Sequence, residues 1–342
     1  MKKFILIFQI ILYLLILSCS KYNYPENIKQ MLKDSGKNKK EIKKAIIYFQ
    51  EKGDSLQIDA LYFLLENLIN HSYTEAALYD SNKVEITFNI LDYENYDKVI
   101  SYLDSLEKEQ GELHWKLKEK YEDIKTITSE LLIENIELAF ESWKNKPWAK
   151  QYSYNIFKEY ILPYRGSNEP IESWRPYFLE HFKHLPEKLE NPADPIEASR
   201  YINKETKNLF GFDPRFYCHP TDQGFEEMLS NKIGRCEDIT NFIIYAMRAN
   251  GLPVTSDYTP HWANTGNNHA WNSIITPDGK VIPDEYNLRS KLAKAYRKTF
   301  SQKKDNLAFK LEEWEKVPAW LGGKSYIDVT PLYTDVSDVT LS

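Results

Sequence analysis

Leu61, Leu64, Leu65, Leu68 and Ile69 recur three and four residues apart, the spacing that brings side chains onto one face of an α-helix. Ser55 stands where such a helix would be capped, because a hydroxyl accepts from the free N–H groups of a first turn. A second run over roughly 96–143 carries Ile124, Ile127, Leu131 and Leu138 in the same manner, and Pro147 ends it, since proline lacks the N–H and crowds the preceding turn. The spacing therefore predicts a helical region from about 27 to 147, with the stripes as packing faces. Lys37 to Lys44 is interleaved with Glu41 and Ile42, the pattern of a solvated helix face.

Turn formers gather in Pro163-Tyr164-Arg165-Gly166-Ser167-Asn168-Glu169-Pro170 and mark a boundary. Beyond it, alternating stretches rich in β-branched and aromatic residues at 269–275 and near 325–340 predict strands among short helices. The expected fold class is α+β. A helical domain over 19–165 precedes a second domain over 166–342, in which a helix packs on an antiparallel sheet. No internal repeat or low-complexity tract interrupts this plan.

The 342 residues leave room for about two domains at roughly 100–200 residues each. With 42% hydrophobic and 14% aromatic residues, the chain has the means to fold. A formal net charge of −6 and the lack of a basic stripe exclude a nucleic-acid binder. The beginning of the chain changes the picture further. Lys2 and Lys3 precede an uncharged run from Phe4 to Leu17, then Ser18 and Cys19. The run is short against the about 20 residues that a membrane span needs, and it reads as a secretory signal over 1–18. Ser18-Cys19 resembles a bacterial lipobox, which implies a lipidated Cys19 and attachment to a membrane of the bacterial envelope.

Export leaves Cys218 and Cys236 as the remaining thiols, and an oxidising compartment invites a disulfide between them. The surroundings of Cys236 point elsewhere. Gly234-Arg235-Cys236-Glu237-Asp238 leads into Ile239, Phe242, Ile243, Ala246 and Met247, one helical face that Gly251 and Pro253 close. Cys236 thus heads a helix, where backbone N–H groups and the partial positive charge favour a thiolate. Gly234 lets the chain turn tightly before it. A base is at hand in His269, which alternation places with Trp271 and Ser273 on one strand face. Asp278-Gly279 forms a turn, and the following strand brings Asp284, with Glu285 as the alternative acid. A two-residue turn would set Asp284 opposite Ser273, on the face of His269 but about 13 Å along the strand at roughly 3.3 Å per residue. A wider loop would set it level with His269, and Pro277 and Pro283 disfavour a plain ladder. A thiol, an imidazole and an orienting carboxylate together perform acyl transfer. Trp262 and Trp271 are candidates for lining an acyl groove, and Tyr258 or Gln223 for polarising a carbonyl. Cys218, His219, Cys236, His261 and His269 match no close metal-ligand spacing, so no metal and no cofactor are expected.

Gly234-Arg235-Cys236 heading a helix that ends in Met247-Arg248-Ala249-Asn250-Gly251-Leu252-Pro253, followed by His269-Ala270-Trp271 and an acid after a short hairpin, resembles the transglutaminase-like superfamily. More narrowly, the chain is similar to exported transglutaminase-domain proteins of Bacteroides-type bacteria, which share a Pro-Tyr-Arg segment as at 163–165 and a Tyr-Arg-Lys segment as at 296–298. The resemblance implies a papain-like core, with Cys236 as nucleophile, His269 as base and Asp284 as third member. It also implies a peptide or protein substrate attacked at an amide through a Cys thioester. Water is the favoured acceptor over an amine, because no second water-excluding site is apparent. The alternative is a non-catalytic envelope scaffold that keeps the fold.

Overall fold

The computed structural model describes residues 24–284, 292–318 and 321–337. Its first half opens with three helices, α1 (Glu26–Asp34), α2 (Lys39–Lys52) and α3 (Ser55–Asn67). Asp54, one residue before the expected cap, opens α3 by accepting from the backbone of Leu56 and Gln57. The region is not helical throughout. β1 (Ser72–Tyr79), β2 (Glu85–Ile86) and β3 (His114–Glu122) form an antiparallel sheet in the order β2-β1-β3, with α4 (Tyr96–Gln110) inserted before β3. The second expected helical run is therefore four elements: α4, then β3, then the short α5 (Asp123–Thr126) leading into α6 (Ser129–Asn145). His114 to Tyr121 alternates Trp115, Leu117 and Tyr121 with lysines at 116, 118 and 120, the two-residue period of a strand.

The second half carries α7 (Tyr154–Tyr160), α8 (Arg175–His181), α9 (Pro195–Leu209) and α10 (Phe225–Asn231) around α11 (Cys236–Ala249). A small parallel pair, β4 (Gly211–Phe212) with β5 (Ile233–Gly234), leads into α11. Five antiparallel strands follow: β6 (Val254–Thr259), β7 (His269–Ile275), β8 (Val281–Pro283), β9 (Tyr296–Lys298) and β10 (Tyr326–Asp328), in the order β10-β9-β6-β7-β8. Helices packed against sheets make the architecture α+β. Among the described residues, no helix is long and apolar enough to cross a membrane.

α11 is enclosed on nearly all sides rather than along one stripe. Phe242, Ile243, Ile244, Ala246 and Met247 join a single core running from Ile28 to Phe300. Two buried arginines tie this helix to the chain around it. Arg248 donates to the carbonyls of Tyr160, Arg165 and Val254, and Arg175 to those of Arg248, Ile161 and Leu162. Buried guanidinium N–H groups satisfied in this way avoid the cost of desolvation without a partner. At its end, Gly251 adopts φ +72° while Gly251 and Leu252 donate back to Arg248 and Met247, the left-handed closure that glycine permits.

Candidate functional site

Cys236 is the first residue of α11, and the approach to it is built by close packing. A Cβ at Gly234 would come within 2.6 Å of the Gln223 side-chain nitrogen and 2.7 Å of Asp238. Gly234 is thus required for a close approach, because its φ is not in the left-handed region. Asp238, in the first turn, accepts from the Arg235 backbone at 2.9 Å and from Gln223 N–H at 2.9 Å. The tight turn at Gly234, the start of α11 and the buried Asp238 form one unit.

Cys236 is 7% exposed, and it and the less buried Cys218 are both free of disulfides. The Cys236 thiol donates to Glu237 Oε2 at 3.1 Å. The backbone amides of Ala270 and Glu237 are near enough to the sulfur to oppose a rise in its pKa, which sets the residue next to His269 beside the candidate nucleophile. Burial, then the adjacent Glu237 charge and its hydrogen bond, push the thiol up to about 12, against the smaller opposing pull of those two amides. The helix end was expected to favour a thiolate. Its fractional charge of about half an electron is outweighed by desolvation and a full carboxylate charge next door.

Glu237 opens onto a chain of alternating charges. Its Oε2 lies 3.4 Å from Arg235 Nε, and Arg235 donates to Asp222 at 2.8 Å. Burial disfavours the Asp222 carboxylate, yet Arg235, Lys298 and hydrogen bonds from Arg235 and Ser167 hold its pKa below the ordinary value. Lys298 Nζ, at the end of β9, donates to the Ser167 hydroxyl. These side chains, with His261, His269 and Tyr258, line a cleft of about 710 Å³.

His269 begins β7 opposite Thr259 of β6. Its ring lies near two indoles, with centroids 5.5 Å from Trp262 and 5.9 Å from Trp271. The strand alternates as expected. Asn272 points to α11, donating to the Thr240 carbonyl at 3.1 Å, while Trp271 and Ser273 face the opposite side. There Trp271 donates to the Tyr333 hydroxyl, and Tyr333 and Ser273 both donate to Asp257. Arg297 completes the network with two 2.8 Å bonds to the same carboxylate. Trp271 is accordingly a buried residue of this network, and Trp262 packs against its edge; both flank His269.

The structure places Asp284 away from that face. The hairpin loop is Pro277-Asp278-Gly279, with Thr276 N donating to Lys280 O and Gly279 at φ +82°, a three-residue loop rather than two. The ladder therefore sets Asp284 opposite Asn272, not Ser273. Its carboxylate accepts from Asn203 Nδ2 at 2.7 Å and Lys207 Nζ at 3.1 Å, both on α9. Glu285, the alternative acid, and Cys19 with the whole leader lie outside the described residues. Gln223 is fully buried, its side-chain nitrogen donating to Ile233 O and Asp238 and its oxygen accepting from Asn231, which leaves it no hand for a substrate carbonyl. Tyr258 lines the cleft, and burial raises its hydroxyl above the ordinary phenol value. Cys218 borders a separate cavity of about 300 Å³ with His219, which bonds to Thr221 O and Glu227.

Sequence reading missed Glu237, Asp222, Ser167 and Lys298. Glu237 follows the nucleophile directly, where an acid reads as an ordinary first-turn residue, and the other three are distant in the chain.

A family model for the Transglutaminase-like superfamily matches residues 183–283. This stretch holds α9, α11 and β7, hence both Cys236 and His269, and residues 183–283 form a transglutaminase-like domain. No curated protein and no solved structure matches the chain.

Proposed function

We propose that this protein opens amide bonds of peptides or proteins through a thioester on Cys236, with His269 as base and water as the final acceptor. The observation that carries this reading is the packing of α11 on β7, where Asn272 donates to the Thr240 carbonyl one turn beyond Cys236 and the Ala270 amide, next to His269, is close enough to lower the thiol pKa. In the reaction, the Cys236 proton passes to His269 as the sulfur attacks the carbonyl carbon. Collapse of the adduct breaks the C–N bond, and the amine leaves with the proton held by His269. Water then gives a proton to His269 and its oxygen to the acyl carbon, and the thiolate recovers that proton as it departs. Before this sequence starts, Glu237 must release the thiol. Asp284 acts in this reading as a positioning residue, since its carboxylate fixes the end of β8, the neighbour of β7, to α9. Water is preferred to an amine because the cleft is open to solvent, which is in great excess.

One observation favours a non-catalytic scaffold: the thiol is buried, bonded to Glu237 and pushed up to about 12. Incubation of the purified protein with a thiol-reactive peptide probe, with mass mapping of the adduct and a Cys236→Ala control, separates the two. Labelling at Cys236 together with Cys236-dependent amide hydrolysis supports the enzyme; a folded protein with neither is a scaffold. We further propose that Cys19 carries lipid and holds the protein on a membrane of the bacterial envelope, on the basis of the basic start, the apolar run and Ser18. Cys19→Ala would then lose its detergent-phase partitioning, and unchanged partitioning would refute the anchor.

A further inference from the structure

We infer that the cleft beside Cys236 selects substrates carrying a carboxylate near the attacked amide, and that Lys298 is the residue that binds it. This rests on reading the cleft as the substrate site of the proposed function. Its volume of about 710 Å³ falls within the roughly 300–1,000 Å³ of small-ligand sites, enough for a few residues of a peptide.

The argument turns on which charges in the cleft are already used. Arg165 pairs with Asp123 at 2.6 Å and donates to the Glu169 carbonyl. Arg248 spends its N–H groups on backbone carbonyls. Arg235 is held by Asp222 and Glu237. Arg235, between Asp222 and Glu237, and Lys298, which also lowers the Asp222 pKa, together balance the two carboxylates, so neither acid asks for a cationic ligand. Lys298 differs. Among the described residues it makes no direct ion pair, although its charge acts on Asp222; its ammonium donates to the Ser167 hydroxyl and lies 5.7 Å from the Tyr258 ring centroid, whereas Lys324, the other lysine lining the cleft, is exposed to solvent. An ammonium has three donors, and one hydroxyl leaves two of them for a ligand. Ser167 also lowers the Asp222 pKa, so the hydroxyl that holds the Lys298 head group lies beside that carboxylate. The β9 backbone is also pinned, because Thr255 Oγ1 donates to the Lys298 carbonyl at 2.7 Å. The result is a pre-positioned cation in a partly desolvated cleft, where a charge-assisted bond to carboxylate is stronger than in water.

Equilibrium binding to full-length Cys236→Ala protein tests this, and because that variant lacks the proposed nucleophile the answer does not depend on whether the wild type hydrolyses anything. The probes are acetyl-Ala-Glu-Ala-amide, its Gln counterpart, and acetyl-Ala-Gln-Ala with a free C-terminal carboxylate. The Glu peptide or the free-acid peptide is expected to bind about tenfold more tightly than the neutral one, and which of the two does so identifies the source of the carboxylate. Adding Lys298→Met should erase the preference, and Lys298→Arg should keep it. Equal binding of all three peptides, no binding of either acidic peptide at millimolar concentration, or a preference that survives Lys298→Met would overturn the inference. If Lys298→Met does not fold, salt decides: added salt must weaken the acidic peptide selectively, and an unaffected preference counts against Lys298.

Discussion

Asp284 faces Asn272 across the β7–β8 ladder, its backbone N–H donating to the Asn272 carbonyl at 2.9 Å. One residue of register decides where its carboxylate goes. Opposite Ser273 it would share the face of His269; opposite Asn272 it turns toward the helices, because side chains alternate strictly along a strand.

A first prediction follows for that carboxylate. Asp284→Asn loses a half-exposed pair with Lys207, an interaction of under about 1 kcal/mol, and should lower stability by no more than that in urea unfolding. If Asp284 serves turnover by anchoring β8 to α9, Asn203→Ala reproduces whatever loss of activity Asp284→Asn causes. A large loss confined to Asp284→Asn would mean that the carboxylate reaches His269 during the reaction.

The same register shows what the sequence made legible. The helix headed by Cys236 and the strand begun by His269 both follow from local pattern, since each has its own period and its own closing glycine or turn. The face on which Asp284 lies depended on whether two or three residues formed the loop, and Asp278-Gly279 is compatible with both. β3 was hidden because its two-residue alternation sits between two helical stretches whose period it does not interrupt strongly. The link from Cys236 through Glu237, Arg235, Asp222 and Ser167 to Lys298 had no local signature at all, for it joins four separate segments.

Beneath the face of β7 that carries Trp271 and Ser273, Asp257 accepts from Arg297, Ser273 and Tyr333, and is fully buried. Replacing Asp257 with Asn leaves the buried Arg297 guanidinium without its counter-charge. Breaking such a pair from one side costs about 3–5 kcal/mol, and chemical denaturation should show a loss of that size. The double variant Asp257→Asn with Arg297→Met should recover part of it, because no orphaned charge remains. A loss below 1 kcal/mol in the single variant would show that water reaches the pair.

Gly234 carries a third prediction. The methyl of Gly234→Ala would sit 2.6 Å from Gln223 and 2.7 Å from Asp238, well inside contact distance, and these partners are themselves buried and hydrogen-bonded. Overpacking of this kind costs about 1–3 kcal/mol. The variant should unfold at lower denaturant and change the labelling rate of Cys236, two residues on. Unchanged stability would mean that the Gln223–Asp238 contact yields easily.

The last prediction concerns the bond between Cys236 and Glu237. Burial is the largest cause of the raised thiol pKa and the Glu237 carboxylate the next, together pushing it up to about 12 from an ordinary 9.0. In the resting protein, alkylation by a small neutral haloacetamide should therefore be slow at pH 7 and rise only on the alkaline side, since the thiolate is the nucleophile. Glu237→Gln removes the negative charge and should draw the reactive limb down by roughly one unit or more, without abolishing the part due to burial. The linkage has a definite sign. A group that holds its proton more tightly when folded adds stability that is complete below pH 9.0 and disappears as pH rises toward about 12, and Glu237→Gln should narrow that window. The two measurements, mass-mapped alkylation across pH and urea unfolding across the same range, must move together. If Cys236 already reacts rapidly at pH 6 in the wild type, Glu237 does not hold the thiol in solution, and the resting arrangement described for the site is not the one the reagent meets.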